Sequence, residues 1–348
     1  MGGAWRWWTS WRDARPPPSS PGRRAMATGR PATRAGHRPT RGIGQMRTCI
    51  ILNPTAGRRR REPLRQFIEA LQAGGAQVRV LVTRHAGHGG ELARQIVHEG
   101  ATDCIIAAGG DGTIAEIAQA VAGTSQRMGI FPAGSANVLA LELGIPFAPA
   151  AAARLILSGA CATIWPGVIE STRDGRPAPP HLFVQMAGIG FDACVVHRLP
   201  LRLKRLVGRA GYVLTMLGAA MTYRFPVIDV RIDGTAYQAR AIVVSKGRLY
   251  GGAYVICPQG MHHQAGFCAI MQEKGGIIPT LRMGWALLRG RMEQMPDVRI
   301  VCGRDIDIHA AIPIPVQTDG DISGTTPVRI RDAGRPLRLA IDTTARPS

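Results

Sequence analysis

The chain has 348 residues, enough for two domains of ordinary size, and with 45% hydrophobic and 19% charged residues its composition is that of a globular protein. No apolar run reaches the length of a transmembrane helix, and the first eleven residues lack the apolar segment of a signal peptide. The formal net charge of +20 indicates an anionic partner, such as a nucleic acid, a nucleotide or an acidic membrane surface.

Part of this charge lies in residues 1–45, which contain nine arginines and the single acid Asp13. We expect this stretch to be a disordered tail or a start assigned too early, with Met46 as the alternative start. The seven cysteines are scattered without a CxxC pair, which favours reduced core thiols in a cytosolic protein. His262 and His263 do not have the spacing of a known zinc site, and we interpret them as surface residues.

From Arg47 to Leu157, strands alternate with helices. We predict strands at Arg47–Leu52, Val78–Thr83, 104–108 and Met128–Phe131, and helices at 62–73, 91–99, 113–122, 138–143 and 148–157. This alternation predicts a parallel sheet, whose ligands bind at the carboxyl ends of the strands. Four polar, glycine-bearing turns lie at those ends: Asn53–Gly57, Thr83–Gly90, Gly109–Thr113 and Gly134–Asn137.

The third turn has the strongest chemical signal. Its glycines allow a sharp turn and a close ligand, and backbone amides at a helix start attract phosphate. We predict that Thr113 caps the following helix in a capping box with Glu116. Asp111 indicates a metal ion or a substrate hydroxyl. The alternative is an ordinary connection between a strand and a helix.

From about residue 161, strands dominate and predict an antiparallel sandwich or barrel. They are expected at 161–170, 182–187, 227–232, 236–245, 253–257, 266–271, 298–309, 314–317 and 328–331, with a hairpin turn at Asp233-Gly234. Two basic, apolar helices, Leu203–Tyr223 and Pro279–Met295, either rest on an anionic membrane or pack on a sheet.

Two further motifs lie in this half. Gly188–Ala193 superficially matches a dinucleotide fingerprint, but the acid expected about twenty residues later is missing, so it predicts a tight bend. In Gln317–Asp321, Asp319 and Asp321 flank Gly320 after an apolar strand. This is a common turn unless the fold brings it to the glycine loops.

Taken together, the chain resembles the diacylglycerol kinase catalytic-domain family, which includes bacterial lipid kinases, sphingosine kinases and ceramide kinases. The resemblance covers about residues 47–345 and is carried by the motifs Asn53–Gly57, Thr83 with Gly87-His88, Gly109–Thr113 with Glu116, Pro132–Asn137, Gly188–Ala193 and Gln317–Asp321. Six motifs in the family's order make chance similarity an unsatisfactory explanation.

The resemblance implies an N-terminal Rossmann-like α/β domain with a parallel sheet, a C-terminal β-sandwich domain, and a chain end that returns to the first domain. The expected ranges are 1–45 for the tail, 46–160 for the ATP-binding domain, 161–325 for the lipid-substrate domain and 326–348 for the return strand and tail.

By the same resemblance, ATP lies between the two domains and Mg²⁺ assists phosphoryl transfer. The implied ATP-binding residues are Asn53, Pro54, Thr55, Ala56, Gly57, Thr83, Gly109, Gly110, Asp111, Gly112, Thr113, Glu116, Gly134, Ser135 and Asn137. The implied base is Asp321, or Asp111 as in the sphingosine kinase branch. Asp111 and Asp319 are the implied metal ligands.

Three positions depart from the family pattern. Val138 follows Asn137 where many members have an Asp, and Asp321 stands for a Glu, which retracts the carboxylate by about an ångström. Ala265 precedes Gly266-Phe267 where bacterial members have an Asp that holds a structural Mg²⁺, so that metal site is expected to be weakened or lost.

These features predict an ATP- and Mg²⁺-dependent lipid kinase acting on diacylglycerol or a long-chain base. It is expected to be cytoplasmic, peripheral at the inner face of an anionic membrane, without a nucleic-acid partner; a homodimer is left open. Two alternatives remain: a kinase of the NAD kinase type with a water-soluble acceptor, and a catalytically silent lipid-binding protein, for which Val138 and Ala265 are the indications.

Overall fold

The computed structural model describes residues 45–56, 61–198 and 218–342. The predicted tail up to residue 44, Gly57, the arginines at 58–60 and most of the predicted helix Leu203–Tyr223 lie outside the described residues. Among the described residues, no helix combines the length and the apolar character that crossing a bilayer requires.

The first half alternates strands and helices, as predicted. Its strands are β1 (Arg47–Leu52), β2 (Gln77–Val82), β3 (Cys104–Gly109) and β4 (Arg127–Pro132). They pair in parallel in the order β2-β1-β3-β4. The helices are α1 (Arg61–Ala73), α2 (His88–Glu99), α3 (Asp111–Val121), α4 (Val138–Glu142) and α5 (Pro149–Leu157).

Strand β3 lies at the centre of this sheet and is buried along its whole length. Ile105 and Ala107 pack into one apolar cluster, and Ile106 and Ala108 pack into another on the opposite face. Because helices cover both faces, the strand is a continuous apolar run without alternation. This confirms the buried strand expected before the third turn.

The second half forms a twelve-stranded antiparallel sheet. Its strands are β6 (Gly167–Arg173), β7 (Arg176–Pro177), β8 (His181–Phe183), β9 (Met186–Ile189), β10 (Ile228–Ile232), β11 (Thr235–Ala239), β12 (Ala241–Ser245), β15 (Phe267–Gln272), β16 (Val298–Gly303), β17 (Ile306–Ala310), β18 (Pro315–Thr318) and β19 (Asp321–Asp332). A separate hairpin is formed by β13 (Leu249–Tyr250) and β14 (Tyr254–Val255). Helix α6 (Phe191–Arg198) follows β9, and α7 (Ile277–Leu288) follows β15.

Two of the predicted long strands are each two strands of this sheet. The stretch 236–245 divides at Arg240, since β11 pairs with β10 whereas β12 pairs with β9 and β15. The stretch 298–309 divides at a turn in which the Asp233 carboxylate accepts the amides of Arg304 and Asp305. A change of partner strand does not alter the pattern of apolar residues, so the sequence predicted one continuous strand in each of these two stretches.

The end of the described chain returns to the first sheet. Strand β20 (Leu337–Leu339) lies between β4 and β5 (Ala162–Ile164), parallel to β4. This confirms the predicted return. The strands change from one sheet to the other at 165–166 and 333–336, which differs by several residues from the expected domain boundaries after 160 and 325; those boundaries stay a prediction.

Candidate active site

The start of helix α3 joins the loop after β1 to the loop after β3. The helix begins at Asp111 and not at Thr113, and its N-cap is Gly110, which has no side-chain cap. The predicted capping box is therefore wrong. Thr113 lies inside the first turn, where its buried hydroxyl accepts a hydrogen bond from Asn53 Nδ2 at 2.9 Å. Asn53 Oδ1 also accepts the amide of Thr55 at 3.0 Å, which closes the first loop.

Glu116 joins α3 to the loop after β2. Its two carboxylate oxygens accept the amides of Gly87 at 2.8 Å and Gly89 at 3.1 Å, at the start of helix α2. A carboxylate at a helix N-terminus is stabilised by the helix dipole and by the otherwise unpaired amides. The nucleotide contact expected of Glu116 stays a prediction. Glu116 would have to make that contact with carboxylate oxygens that already accept hydrogen bonds from the start of α2.

The third and fourth glycine turns touch through their backbones. A Cβ atom on Gly134 would lie 2.5 Å from the Cα of Gly110 and 2.9 Å from Asn137 Oδ1. Asn137 is buried in a left-handed conformation, and its side chain both accepts the Gly134 amide and donates to the Gly134 carbonyl at 2.8 Å. These two glycines are therefore required by close approach.

Asp111 connects the same two turns. Its Oδ1 accepts the amide of Val138 at 2.7 Å, at the start of the short helix α4. Burial raises the pKa of Asp111, and hydrogen bonds from backbone amides near the start of α4 oppose that rise. Position 138 thus supplies a backbone amide, which a valine provides as well as any other residue except proline.

The turn between β18 and β19 is held from the other sheet by Asp319. Its Oδ1 accepts the amides of Gln185 at 2.9 Å and Met186 at 3.0 Å, and its Oδ2 accepts that of Val184 at 2.7 Å. Burial raises the pKa of Asp319 to about 6, against the effect of the three amides. Its predicted metal contact stays a prediction, since both oxygens already hold this turn.

Asp321, at the start of β19, faces the first turn of α3. Its Oδ2 would lie 3.3 Å from a Cβ atom on Gly112. Within the described part of the chain, its exposed carboxylate has no hydrogen bond or ion pair assigned to it. Burial lowers the pKa of His181 on β8, and the negative charge of Asp321 opposes that shift in part. The fold therefore brings the distant Asp-Gly-Asp motif to the glycine loops.

Asp192 supports the turn between β18 and β19 through Gln317, a role that the sequence did not reveal. Asp192 lies in the first turn of α6, just after the bend at Gly190, which has a φ of 90°. Its buried carboxylate accepts hydrogen bonds from Gln317 Nε2 at 2.7 Å and from the Tyr250 hydroxyl. Gln317 Oε1 in turn accepts the amide of Gly320 at 2.8 Å. Burial raises the pKa of Asp192, and these two donors oppose the rise. The one signal in the sequence was a carboxylate three residues after an apolar strand, in the Gly188–Ala193 motif.

The acidic side chains of this site do not surround a preformed metal position. Among the described residues, three metal-ligating side-chain atoms come within 4.8 Å of one another only at His85, His88 and Glu91, outside the acidic group. Mg²⁺ normally keeps several waters and binds one or two carboxylates together with substrate phosphates. The Mg²⁺ contacts predicted for Asp111 and Asp319 therefore stay a prediction.

The structural Mg²⁺ implied by the resemblance does not fit the residues present near Ala265. The buried ammonium of Lys246 lies there, 2.9 Å from the carbonyl of Gly266, 3.2 Å from that of Gln264 and 3.0 Å from Asp332 Oδ1. Burial lowers the pKa of Lys246, whereas the contact with Asp332 raises it. A protein cation thus ties this loop to the end of β19, as expected if the metal is lost.

Comparison with known proteins gives consistent matches over both halves. A family model described as the diacylglycerol kinase catalytic domain matches residues 47–167, and one described as the YegS C-terminal NAD kinase beta sandwich-like domain matches residues 185–341. The chain is 26% identical over 288 residues to a diacylglycerol kinase of Bacillus subtilis, covering 81% of this chain and 91% of that protein. It is 30% identical over 257 residues to a probable YegS-like lipid kinase of Pseudomonas putida, covering 71% and 82%.

A solved structure supports the fold. A crystal structure of a putative diacylglycerol kinase from Bacillus anthracis superposes with a TM-score of 0.70 at 20% identity, covering 89% of this chain and all of that one. The combination of a parallel-sheet domain with a sandwich-like domain is therefore found in both proteins.

We expect Gly134→Ala to destabilise the protein by about 1–3 kcal/mol, because the added methyl overlaps the backbone of Gly110. Nucleotide affinity should fall as well, since the two turns are forced apart. Urea unfolding and titration with a fluorescent ATP analogue measure both effects. Gly218→Ala is the control, because a Cβ there meets none of the described residues within 4 Å. Unchanged stability and affinity in Gly134→Ala would contradict the close approach.

The raised pKa of Asp319 predicts a pH-dependent stability. The folded protein holds a proton on Asp319 up to a pH of about 6, but the unfolded chain only up to about 4. The free energy of unfolding of the wild type should therefore fall, relative to Asp319→Asn, as the pH rises from about 4 to 6. Urea unfolding over this range measures the difference, and parallel curves would refute it.

Replacement of Lys246 by Met should cost about 3 kcal/mol or more of unfolding free energy, because it leaves Asp332 and two carbonyls without their cation. Arg79→Met is the control, since Arg79 pairs with Glu99 at the surface and should cost less than about 1 kcal/mol. Chemical unfolding compares the two. Equal losses would show that the buried ammonium has no special role.

Proposed function

We propose that this chain, which belongs to the diacylglycerol kinase catalytic-domain family and is a kinase, transfers the γ-phosphoryl group of ATP to a hydroxyl of a membrane lipid. The observation that carries this proposal is the position of Asp321. An exposed carboxylate without a hydrogen-bond partner among the described residues lies against the first turn of α3, where four glycine-bearing loops are joined.

We assign the role of general base to Asp321. Phosphoryl transfer needs an acceptor for the proton of the attacking hydroxyl, and that acceptor must reach the substrate. Asp321 is exposed, whereas Asp111 is half-buried and its Oδ1 accepts a hydrogen bond at the start of α4. This difference favours Asp321 over Asp111, whose role is then to organise the two glycine turns and to ligate Mg²⁺.

The phosphates of ATP are proposed to lie at the start of α3. The first-turn amides there receive no side-chain cap, and the helix dipole adds partial positive charge. Ser135 is exposed at the tip of the fourth turn, and Asn53 and Thr55 form the first, so each can contact the nucleotide. Mg²⁺, when bound, neutralises charge that develops on the phosphates.

The acceptor is proposed to be diacylglycerol or a long-chain base. The relatives are named as diacylglycerol kinases and as a lipid kinase. The second sheet is separate from the sheet that carries the glycine-bearing loops, and we propose that it receives the lipid. We propose that the enzyme works at the cytoplasmic face of an anionic membrane, where such acceptors reside.

A comparison of acceptors tests this function. ATP turnover is measured with diacylglycerol, sphingosine and NAD, on the wild type and on Asp321→Asn and Asp111→Asn. We expect lipid phosphorylation, with kcat lowered about 100- to 10,000-fold in Asp321→Asn and little change in the KM for ATP. Asp111→Asn should weaken ATP binding as well, because Asp111 holds the turns.

Asp174→Asn is the matched control, since Asp174 lies in an exposed turn with a positive φ that Asn also adopts. Phosphorylation of NAD alone would overturn the lipid assignment. Binding of lipid without phosphorylation of any acceptor would favour a silent lipid-binding protein, and full activity of Asp321→Asn would exclude Asp321 as the base.

A further inference from the structure

Helix α7 exposes a continuous apolar face. Half of the exposed large hydrophobic side chains in the described part of the chain lie on this one helix, namely Ile277, Ile278, Leu281, Trp285 and Leu288, with exposed fractions between 42% and 65%. At about 100° per residue, the five positions fall within an arc of about 100°. We call these five side chains the α7 face.

The opposite side of the same helix is anchored to the protein. Thr280 and Ala286 are buried, and Met283 and Leu287 pack on a cluster beneath the helix. The Thr280 hydroxyl also donates to the Gly276 carbonyl at 2.8 Å. The helix is therefore held in place by its packed side, and the α7 face points outward into solvent. An exposed apolar face of this size indicates a binding surface.

The charge around the α7 face identifies the occupant. Residues 274–291 contain no acidic residue; their cations are Arg282, Arg289 and Arg291, together with Lys274, whose ammonium pairs with Asp297 at 2.7 Å. The three arginines are exposed, and the Arg289 guanidinium lies 4.5 Å from the centre of the Trp285 ring. Apolar side chains with a tryptophan and a cationic rim match the boundary between acyl chains and anionic headgroups. A second copy of this chain would bring equal positive rims together.

The α7 face is also connected to the catalytic turn. The cluster under α7 includes Met186, whose backbone amide is one of the three that hold Asp319. Asp319 lies two residues before the proposed base Asp321. The helix and the catalytic turn are thus supported by the same apolar layer.

We propose that the α7 face docks the enzyme on an anionic lipid bilayer, with the five apolar side chains inserted at the level of the headgroups and the arginines contacting lipid phosphates. The inference rests on the proposed function, because a lipid kinase must reach an acceptor within a bilayer. The helix would lie in the plane of the membrane, since the five apolar side chains run along one side of it.

Vesicle sedimentation with the full-length chain, without ATP, tests the docking. The probes are vesicles of phosphatidylcholine and vesicles that also contain phosphatidylglycerol. We expect Leu281→Gln/Trp285→Gln to lower the partition coefficient on phosphatidylglycerol vesicles about tenfold or more. Arg282→Gln/Arg289→Gln should remove the preference for these vesicles. Ile312→Gln is the control, since Ile312 is as exposed as Trp285 but lies elsewhere.

Wild-type binding by the Leu281→Gln/Trp285→Gln protein would overturn the proposal, because docking would then use another part of the chain. A change of oligomeric state in that variant, measured by light scattering without vesicles, would also overturn it and assign the face to contacts between copies. Activity on detergent-dispersed diacylglycerol separates this inference from the proposed function. The variant should keep that activity, whereas a wild type inactive on every lipid would refute the function and not the docking.

Discussion

The first turn of α3 is the constraint on which the site depends. Gly110 has backbone contact with the fourth loop, Thr113 is bonded to the first, and Glu116 reaches the second. Asp321 arrives from the other sheet against Gly112. A single helix start thus fixes the positions of four loops and of the proposed base, so a small displacement of this turn would move all of them together.

The acidic residues of the site have two roles: three of them hold loops in place, and one is available to a substrate. Asp111, Asp192 and Asp319 are each bonded to amides or to polar side chains, and burial raises the pKa of all three. Buried carboxylates of this kind are tolerable because their hydrogen bonds replace lost water. Asp321 is exposed, which leaves it available to a substrate. Asp192 and Asp319 therefore hold the turn that carries Asp321, and Asp111 holds the fourth loop.

The sequence predicted the sheet of the first half and the order of its loops, because β3 and its neighbours are short apolar runs followed by glycine turns. The sequence did not predict the features that depend on contacts between residues distant along the chain. Thr113 and Glu116 had the spacing of a capping box, but both side chains bond to other loops. Arg240 marks a change of partner strand that no local pattern records, and Lys246 reaches the Gly266 carbonyl and Asp332 through contacts that exist only in the folded protein.

The most direct measurement is hydrogen exchange of the backbone amides, followed by mass spectrometry, with and without Mg²⁺ and a non-hydrolysable ATP analogue. If one nucleotide site is organised by the start of α3, the analogue should slow exchange together in residues 53–56, 110–113 and 134–137. Protection confined to a single loop, or found only in the second sheet, would contradict a nucleotide site built on this turn.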